Sequence, residues 1–145
     1  MRQKFITIYT DASFHPTTGL SRWAFYARCD EGKLVQDGET HRRLKDSNEA
    51  EMYAICRAIW ECFRKWPHLR GFFVNTDSLH CCRVWWPYWE DPTGKGCSEM
   101  RDKITAKLQG RWVRVKHVRA HQKNIGVRSY LNNLVDRLAS RRGTS

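Results

Sequence analysis

Residues 5–13 read Phe-Ile-Thr-Ile-Tyr-Thr-Asp-Ala-Ser. A run of β-forming residues ends abruptly on an aspartate followed by two small residues, and how that aspartate is read decides the fold. Taken alone, Asp11 is a turn former or a cap, because aspartate commonly opens turns. A second run of the same design lies further along: Val74-Asn-Thr-Asp-Ser-Leu-His80 again places threonine, aspartate and a small residue after an apolar strand. If the two strands are parallel neighbours, Asp11 and Asp77 leave the sheet at one edge. Open sheets with parallel strands gather their ligand sites at the carboxyl ends of those strands.

Working outward, strand one spans Lys4 to Thr10. Trp23–Arg28 and Leu34–Thr40 read as two further strands joined by a turn at Asp30-Glu31-Gly32, an opening antiparallel meander. A long helix is expected from Asn48 to Lys65, with Met52, Ile55, Cys56, Ile59, Phe63 and Trp66 at helical spacing and Pro67 closing it. Gly71–Thr76 is a short apolar strand. Ser78 caps a helix through Leu79, Cys82 and Trp86, and Pro87, Pro92, Gly94 and Gly96 then break the chain. A helix over Ser98–Leu108, an alternating strand over Arg111–Arg119 and a last helix over Ser129–Arg141 complete the order β-β-β-α-β-α-α-β-α. The fold class is α/β: a mixed five-stranded sheet, strands one to three antiparallel, four and five parallel to one, with helices on both faces. At 145 residues the chain suits a single domain over 1–145.

The net charge is +11, from 26 Lys and Arg against 15 Asp and Glu. Such an excess suits a polyanionic partner, since neutralising phosphates releases condensed counterions; solubility alone is the plainer explanation. No apolar run nears the roughly 20 residues that span a bilayer, and the N-terminus leads straight into a strand rather than a secretory segment. The expectation is a cytoplasmic, intracellular monomer that binds nucleic acid and no membrane. Six cysteines form no Cys-x-x-Cys pair, and all are read as free thiols.

Two further acids can join the first pair. Glu51 falls in the first turn of the long helix beside Met52, which begins the apolar stripe; with Asn48 as N-cap it would instead occupy the capping-box position. Asp136 borders the stripe of the last helix, with Asn132 four residues earlier on its face. Carboxylates crowded at one sheet edge would repel one another. Oxygen ligands from separate elements, without a thiolate or imidazole cluster, select magnesium or manganese. Two such ions would clamp both oxygens of a phosphodiester displacement. A basic surface with a carboxylate cluster therefore reads as a metal-dependent nuclease.

The chain resembles a type 1 ribonuclease H. The likeness runs through Ile8–Ser13, Ser47–Ile59, Asn75–Cys81, Val118–Gln122 and Asn132–Ala139, in the order the family has them. It implies the ribonuclease H-like fold and cutting of the RNA strand of RNA–DNA hybrids, with two Mg2+ ions (or Mn2+). Asp11, Glu51, Asp77 and Asp136 would be metal-binding and catalytic. His121 would assist proton transfer or product departure, Asn48 would contact the hybrid and Asn132 would support Asp136. Ser13, Asn48 and the backbone near Ala12 are the groups available to sense the ribose 2′-hydroxyl.

Departures from the pattern are also visible. Ala12 and Ala120 stand where glycine is often found, and the segment after Asp77 is too short for the basic protrusion of many bacterial members. Arg83, Trp85 and Trp86 are the substitutes expected to grip the DNA strand, although packing against the long helix suits one tryptophan equally well. Two rivals remain. A proofreading-type exonuclease pairs the first aspartate with a glutamate two residues on, where this chain has Ser13. A catalytically silent hybrid- or RNA-binding module would keep the fold and lose turnover.

Overall fold

A computed structural model describes residues 4–86 and 94–118. The described elements are β1 (Phe5–Phe14), β2 (Ser21–Cys29), β3 (Gly32–Glu39), α1 (Ser47–Lys65), β4 (Gly71–Thr76), α2 (Leu79–Trp85), α3 (Gly96–Lys107) and β5 (Trp112–His117). The five strands form one sheet in the order β3-β2-β1-β4-β5. β1–β2 and β2–β3 are antiparallel, while β4 runs parallel to both β1 and β5. The mixed sheet expected from the sequence is thus the observed one. The segment expected to form the last helix, with Asp136 and Asn132, lies outside the described residues, as does His121.

Alternation along the strands sets the layers. Ile6 and Ile8 of β1, Phe25 and Ala27 of β2, and Phe72 of β4 are fully buried, on the face covered by α1. Each of the isoleucine and phenylalanine side chains stabilises the fold by about 1.5–3 kcal/mol relative to leaving it in water. The helix answers with Met52, Ile55, Ile59 and Cys62, all without exposure, and with Ala50, Ala54 and Ala58, small enough to let its neighbours come close. Phe5, Phe73 and Trp112 cluster by contrast edge to face, with Phe5–Phe73 centroids 5.2 Å apart and Phe73–Trp112 centroids 4.8 Å apart.

Two boundaries differ from the sequence expectation, and both bear on the site. β1 does not stop at Thr10 but continues to Phe14, because β2 pairs with it as far as Phe14↔Ser21. Its parallel pairing with β4 ends earlier, at Tyr9↔Asn75. Asp11 is therefore mid-strand on one side, opposite Ala24, and past the strand end on the other. Secondly, α1 is capped by Asp46, not Asn48: the Asp46 carboxylate accepts the Glu49 N–H at 3.0 Å, and Glu49 accepts the Lys45 N–H at 2.9 Å. Aspartate is a strong N-cap, and the reciprocal glutamate satisfies a further donor.

Candidate active site at the carboxyl ends of β1 and β4

The shifted cap frees Glu51 from the role that Asn48 as N-cap would have given it. Glu51 stays in the opening turns of α1, half-buried, one residue before the fully buried Met52. Asp11 is only 2% exposed, and its Oδ1 accepts the N–H of Ala12 at 2.9 Å. Asp77 sits in the turn from β4 into α2. Thr76 Oγ1 accepts the Ser78 N–H at 3.2 Å, and Ser78 Oγ accepts the Cys81 N–H at 3.2 Å as the N-cap of α2. Asp77 is thus held between two side-chain oxygens that fix the turn on either side of it.

One carboxylate oxygen each from Asp11, Glu51 and Asp77 lies within 4.8 Å of the others. Ligands on opposite sides of a cation that takes oxygens at about 2.0–2.6 Å are up to about 5 Å apart, so the three fit one hard divalent ion. The donor set is all carboxylate, without sulfur or imidazole, which suits Mg2+ or Mn2+ rather than zinc. Like charges this close repel unless a cation lies between them.

Asn75, in the same run as Asp77, is a residue of the site's frame that the acid pattern alone does not single out. It is 3% exposed, and its Nδ2 donates to the Ile8 carbonyl at 3.1 Å, joining β4 to β1 where their pairing ends. A buried polar residue closing an apolar strand was the signal available. The Cys81 thiol donates to the Asn48 carbonyl at 3.5 Å and so links α2 to the start of α1. A hydrogen bond with Cys97, together with burial, holds that thiol well above its usual range, so it remains a neutral donor.

The other sequence candidates divide. Ser13 is exposed and lies two residues past Asp11 on the same face of β1; Ala12 and Asn48 are half-buried. Arg83 is exposed on α2, and Trp86 is 75% exposed. Trp85 is a correction. It is 2% exposed, its indole N–H donates to Met52 Sδ at 3.1 Å, and it belongs to the core beneath α1 rather than to a strand-gripping pair. All six cysteines are free, as expected, and among the described residues no helix is long and apolar enough to cross a membrane.

Sheet order and acid triad define an α/β domain whose site lies where parallel strands end. More narrowly, the sequence model of RNase H matches residues 3–143, and the chain belongs to that family. No curated protein sequence matches the chain. Among solved structures, RNase H1 from the halophilic archaeon Halobacterium salinarum is similar with a TM-score of 0.68 at 18% identity, over 94% of this chain and 96% of that one. The N-terminal RNase H domain of a Mycobacterium tuberculosis protein gives 0.66 at 12% identity, over 98% and 100%. LC11-RNase H1 in complex with an RNA/DNA hybrid gives 0.65 at 19% identity, over 96% and 99%. At such identities the likeness is one of fold.

Proposed function

We propose that this chain is an endonuclease that hydrolyses the RNA strand of RNA–DNA hybrids. One observation carries the reading: three elements of an RNase H-family chain bring Asp11, Glu51 and Asp77 within 4.8 Å of one another. LC11-RNase H1 has been seen with an RNA/DNA hybrid, and the +11 charge of this chain suits a polyanionic partner of that kind.

Asp11, Glu51 and Asp77, with Asp136, would hold two divalent ions. When bound, Mg2+ or Mn2+ supplies Lewis acidity to the attacking and leaving oxygens of the phosphodiester. Burial of Asp11 orients its carboxylate and keeps bulk water away from it. Ser13, Asn48 and the Ala12 backbone meet the minor groove, where the 2′-hydroxyl separates RNA from DNA. Arg83 and Trp86 contact the DNA strand. His121 moves a proton to the departing group, and Asn132 positions Asp136. The protein acts as a monomer built of one domain.

The test uses one short sequence prepared as RNA–DNA hybrid, double-stranded RNA, double-stranded DNA and single-stranded RNA. Each is incubated with the protein in magnesium, in manganese and in EDTA. The expected result is internal cuts in the RNA of the hybrid alone, dependent on metal, and abolished by Asp11→Asn with hybrid binding intact. Binding without cutting in either metal overturns the enzyme reading in favour of a silent hybrid-binding module.

A further inference from the structure

The candidate active site uses little of the molecule's positive charge. A separate concentration of it lies along α1 and α3. Tyr53, Cys56, Arg57 and Trp60 recur at helical spacing on α1, offset from the fully buried stripe of Met52, Ile55, Ile59 and Cys62. They face Lys103, Ile104 and Lys107 of α3 across a hollow of about 230 Å³ that Arg42 also lines. The floor is apolar, with Met100 9% and Ile104 5% exposed. Among the described residues, four cations and two aromatic rings line the hollow, and no carboxylate does.

Arg57 belongs also to a second hollow, of about 540 Å³, with Arg22, Glu39, His41 and Trp23, in which two guanidiniums outnumber one carboxylate. Trp23 lies flat over Gly38, where a Cβ would meet the ring at 2.7 Å, so glycine there is required by this close approach. The Trp23 side chain is 5% exposed, and its indole N–H has no hydrogen-bond partner among the described residues. Buried donors are rarely left unsatisfied, and one lining a basic hollow calls for an acceptor. Arg22 is committed to Glu39, and Glu61 lies near both Arg57 and Arg64. His41, Arg42, Lys103 and Lys107 extend the basic track on either side of Arg57.

We propose that this track is a second nucleic-acid site, which holds an unpaired single strand. Its phosphates lie on Arg42, Arg57, Lys103 and Lys107, and one base enters the α1–α3 hollow against Tyr53 or Trp60. A single small anion would need one basic pocket; two hollows sharing a guanidinium suit a chain of phosphates. Aromatic rings interleaved with cations are the arrangement by which proteins hold single strands without reading sequence. Lys107 Nζ now rests 5.0 Å from the centre of the Trp60 ring. A base stacked there displaces the lysine towards the adjoining phosphate, a favourable exchange because stacking outweighs an exposed cation–π contact. The site does not depend on hydrolysis, and a catalytically silent protein would retain it.

The experiment measures anisotropy of a labelled short oligothymidine on the full chain in EDTA, with and without saturating blunt RNA–DNA hybrid. Its variants are the double substitution Lys103→Gln/Lys107→Gln, on two exposed side chains, and Trp60→Phe, which keeps the packing. Expected are retention of the single strand beside saturating hybrid and roughly tenfold weaker binding by the double variant. That variant's log–log salt slope should fall by about 1.4, two phosphates at about 0.7 each. Trp60→Phe should weaken binding less, since a base can still stack on phenylalanine, and blunt-hybrid cleavage should stay unchanged in both variants. Displacement of the strand by hybrid, or unchanged binding by the double variant, overturns the proposal. So does thymidine monophosphate binding as tightly as the oligomer, which would make the hollow a small-ligand pocket. Should the wild-type chain cut nothing yet pass these tests, the enzyme reading falls and the second site stands.

Discussion

The two ends of α1 are built on different principles. Its first turns carry Glu51 to a cluster of acids, and the surrounding backbone is fixed by named hydrogen bonds: Asp46 to Glu49, Thr76 to Ser78, Ser78 to Cys81, Asn75 to Ile8. Its middle and last turns carry Ile55, Ile59 and Cys62 into the core, where shape and burial do the holding. The acid end stores repulsion that a cation would relieve, whereas the body stores only favourable burial. Activity and stability should therefore be separable along one helix, and substitutions can test how cleanly.

Asp77→Asn should have the largest effect, and on activity alone. Removing one carboxylate from the triad forfeits several kcal/mol of metal-assisted stabilisation, which corresponds to roughly a thousandfold or more in rate. Without metal, the melting temperature should hold or rise, because one of three crowded charges is gone. Hybrid-cleavage kinetics and thermal unfolding of the same preparation check both halves. A large fall in melting temperature with cleavage preserved would show that the acid end is structural after all.

At the body the signs reverse. Ile55→Ala removes a fully buried side chain and should cost about 2–5 kcal/mol of unfolding free energy. Trp85→Ala should cost about 3–5 kcal/mol, since the indole fills the space beneath Met52. Denaturant titration measures both. Activity per folded molecule should stay near wild type for Ile55→Ala, and a loss matching Asp77→Asn would break the separation of the two ends.

How much of this was legible beforehand follows from the physics of each element. The sheet could be read because alternation in Phe5–Thr10, Trp23–Arg28 and Arg111–Arg119 is local and strong. The acid triad could be read because strand, threonine and aspartate recur at Asp11 and Asp77. Element ends were less legible. Whether β1 stops at Thr10 or Phe14 depends on how far β2 accompanies it, a property of a separate strand that begins at Ser21. The helix cap moved to Asp46 because two neighbouring candidates, Asp46 and Asn48, compete and tertiary position decides between them. Trp85 and Trp86 are adjacent in sequence, yet helical rotation puts one in the core and one in water. The α1–α3 cleft was invisible because its cations come from a loop and two helices, and nothing in the sequence joins them.

Alkaline pH gives a smaller and graded comparison. Burial pushes the Cys82 thiol up to about 11, against an unfolded value of 9.0. Below pH 9 both states keep the proton and its contribution is fully present. Above pH 9 the unfolded chain loses the proton while the folded chain holds it, so stability falls until the folded thiol itself titrates. The slope is about 1.4 kcal/mol per pH unit for each such thiol. Cys82→Ala should flatten the decline between pH 9 and 11 by up to that amount per unit, read from urea titrations across the range. An unchanged slope would mean that Cys82 is solvated in the folded state.

Asn75→Ala tests the seam between the two regions. It deletes the donor to the Ile8 carbonyl where β1 and β4 part, leaving a buried acceptor unpaired at about 1–3 kcal/mol. The expected signature combines this modest loss with a raised metal requirement, since Asp11 and Asp77 follow the joined strands. Loss of stability with an unchanged metal titration would place Asn75 with the body instead.

Trp86→Ala should give the smallest change in stability and thereby sharpen the contrast with its neighbour. At 75% exposed, Trp86 has little burial to lose, and surface substitutions of this kind stay within about 0.5 kcal/mol. Its aromatic face is nonetheless available to a strand, and removing a stacking partner costs about 1–3 kcal/mol of nucleic-acid binding. The expected result is therefore an unfolding curve like wild type, with KM for hybrid raised and kcat retained. Weaker binding would assign the exposed member of the pair to the DNA strand, as Trp85→Ala assigns the buried member to the core. If KM does not move, neither tryptophan meets the hybrid, and Arg83 is left as the α2 residue to substitute next.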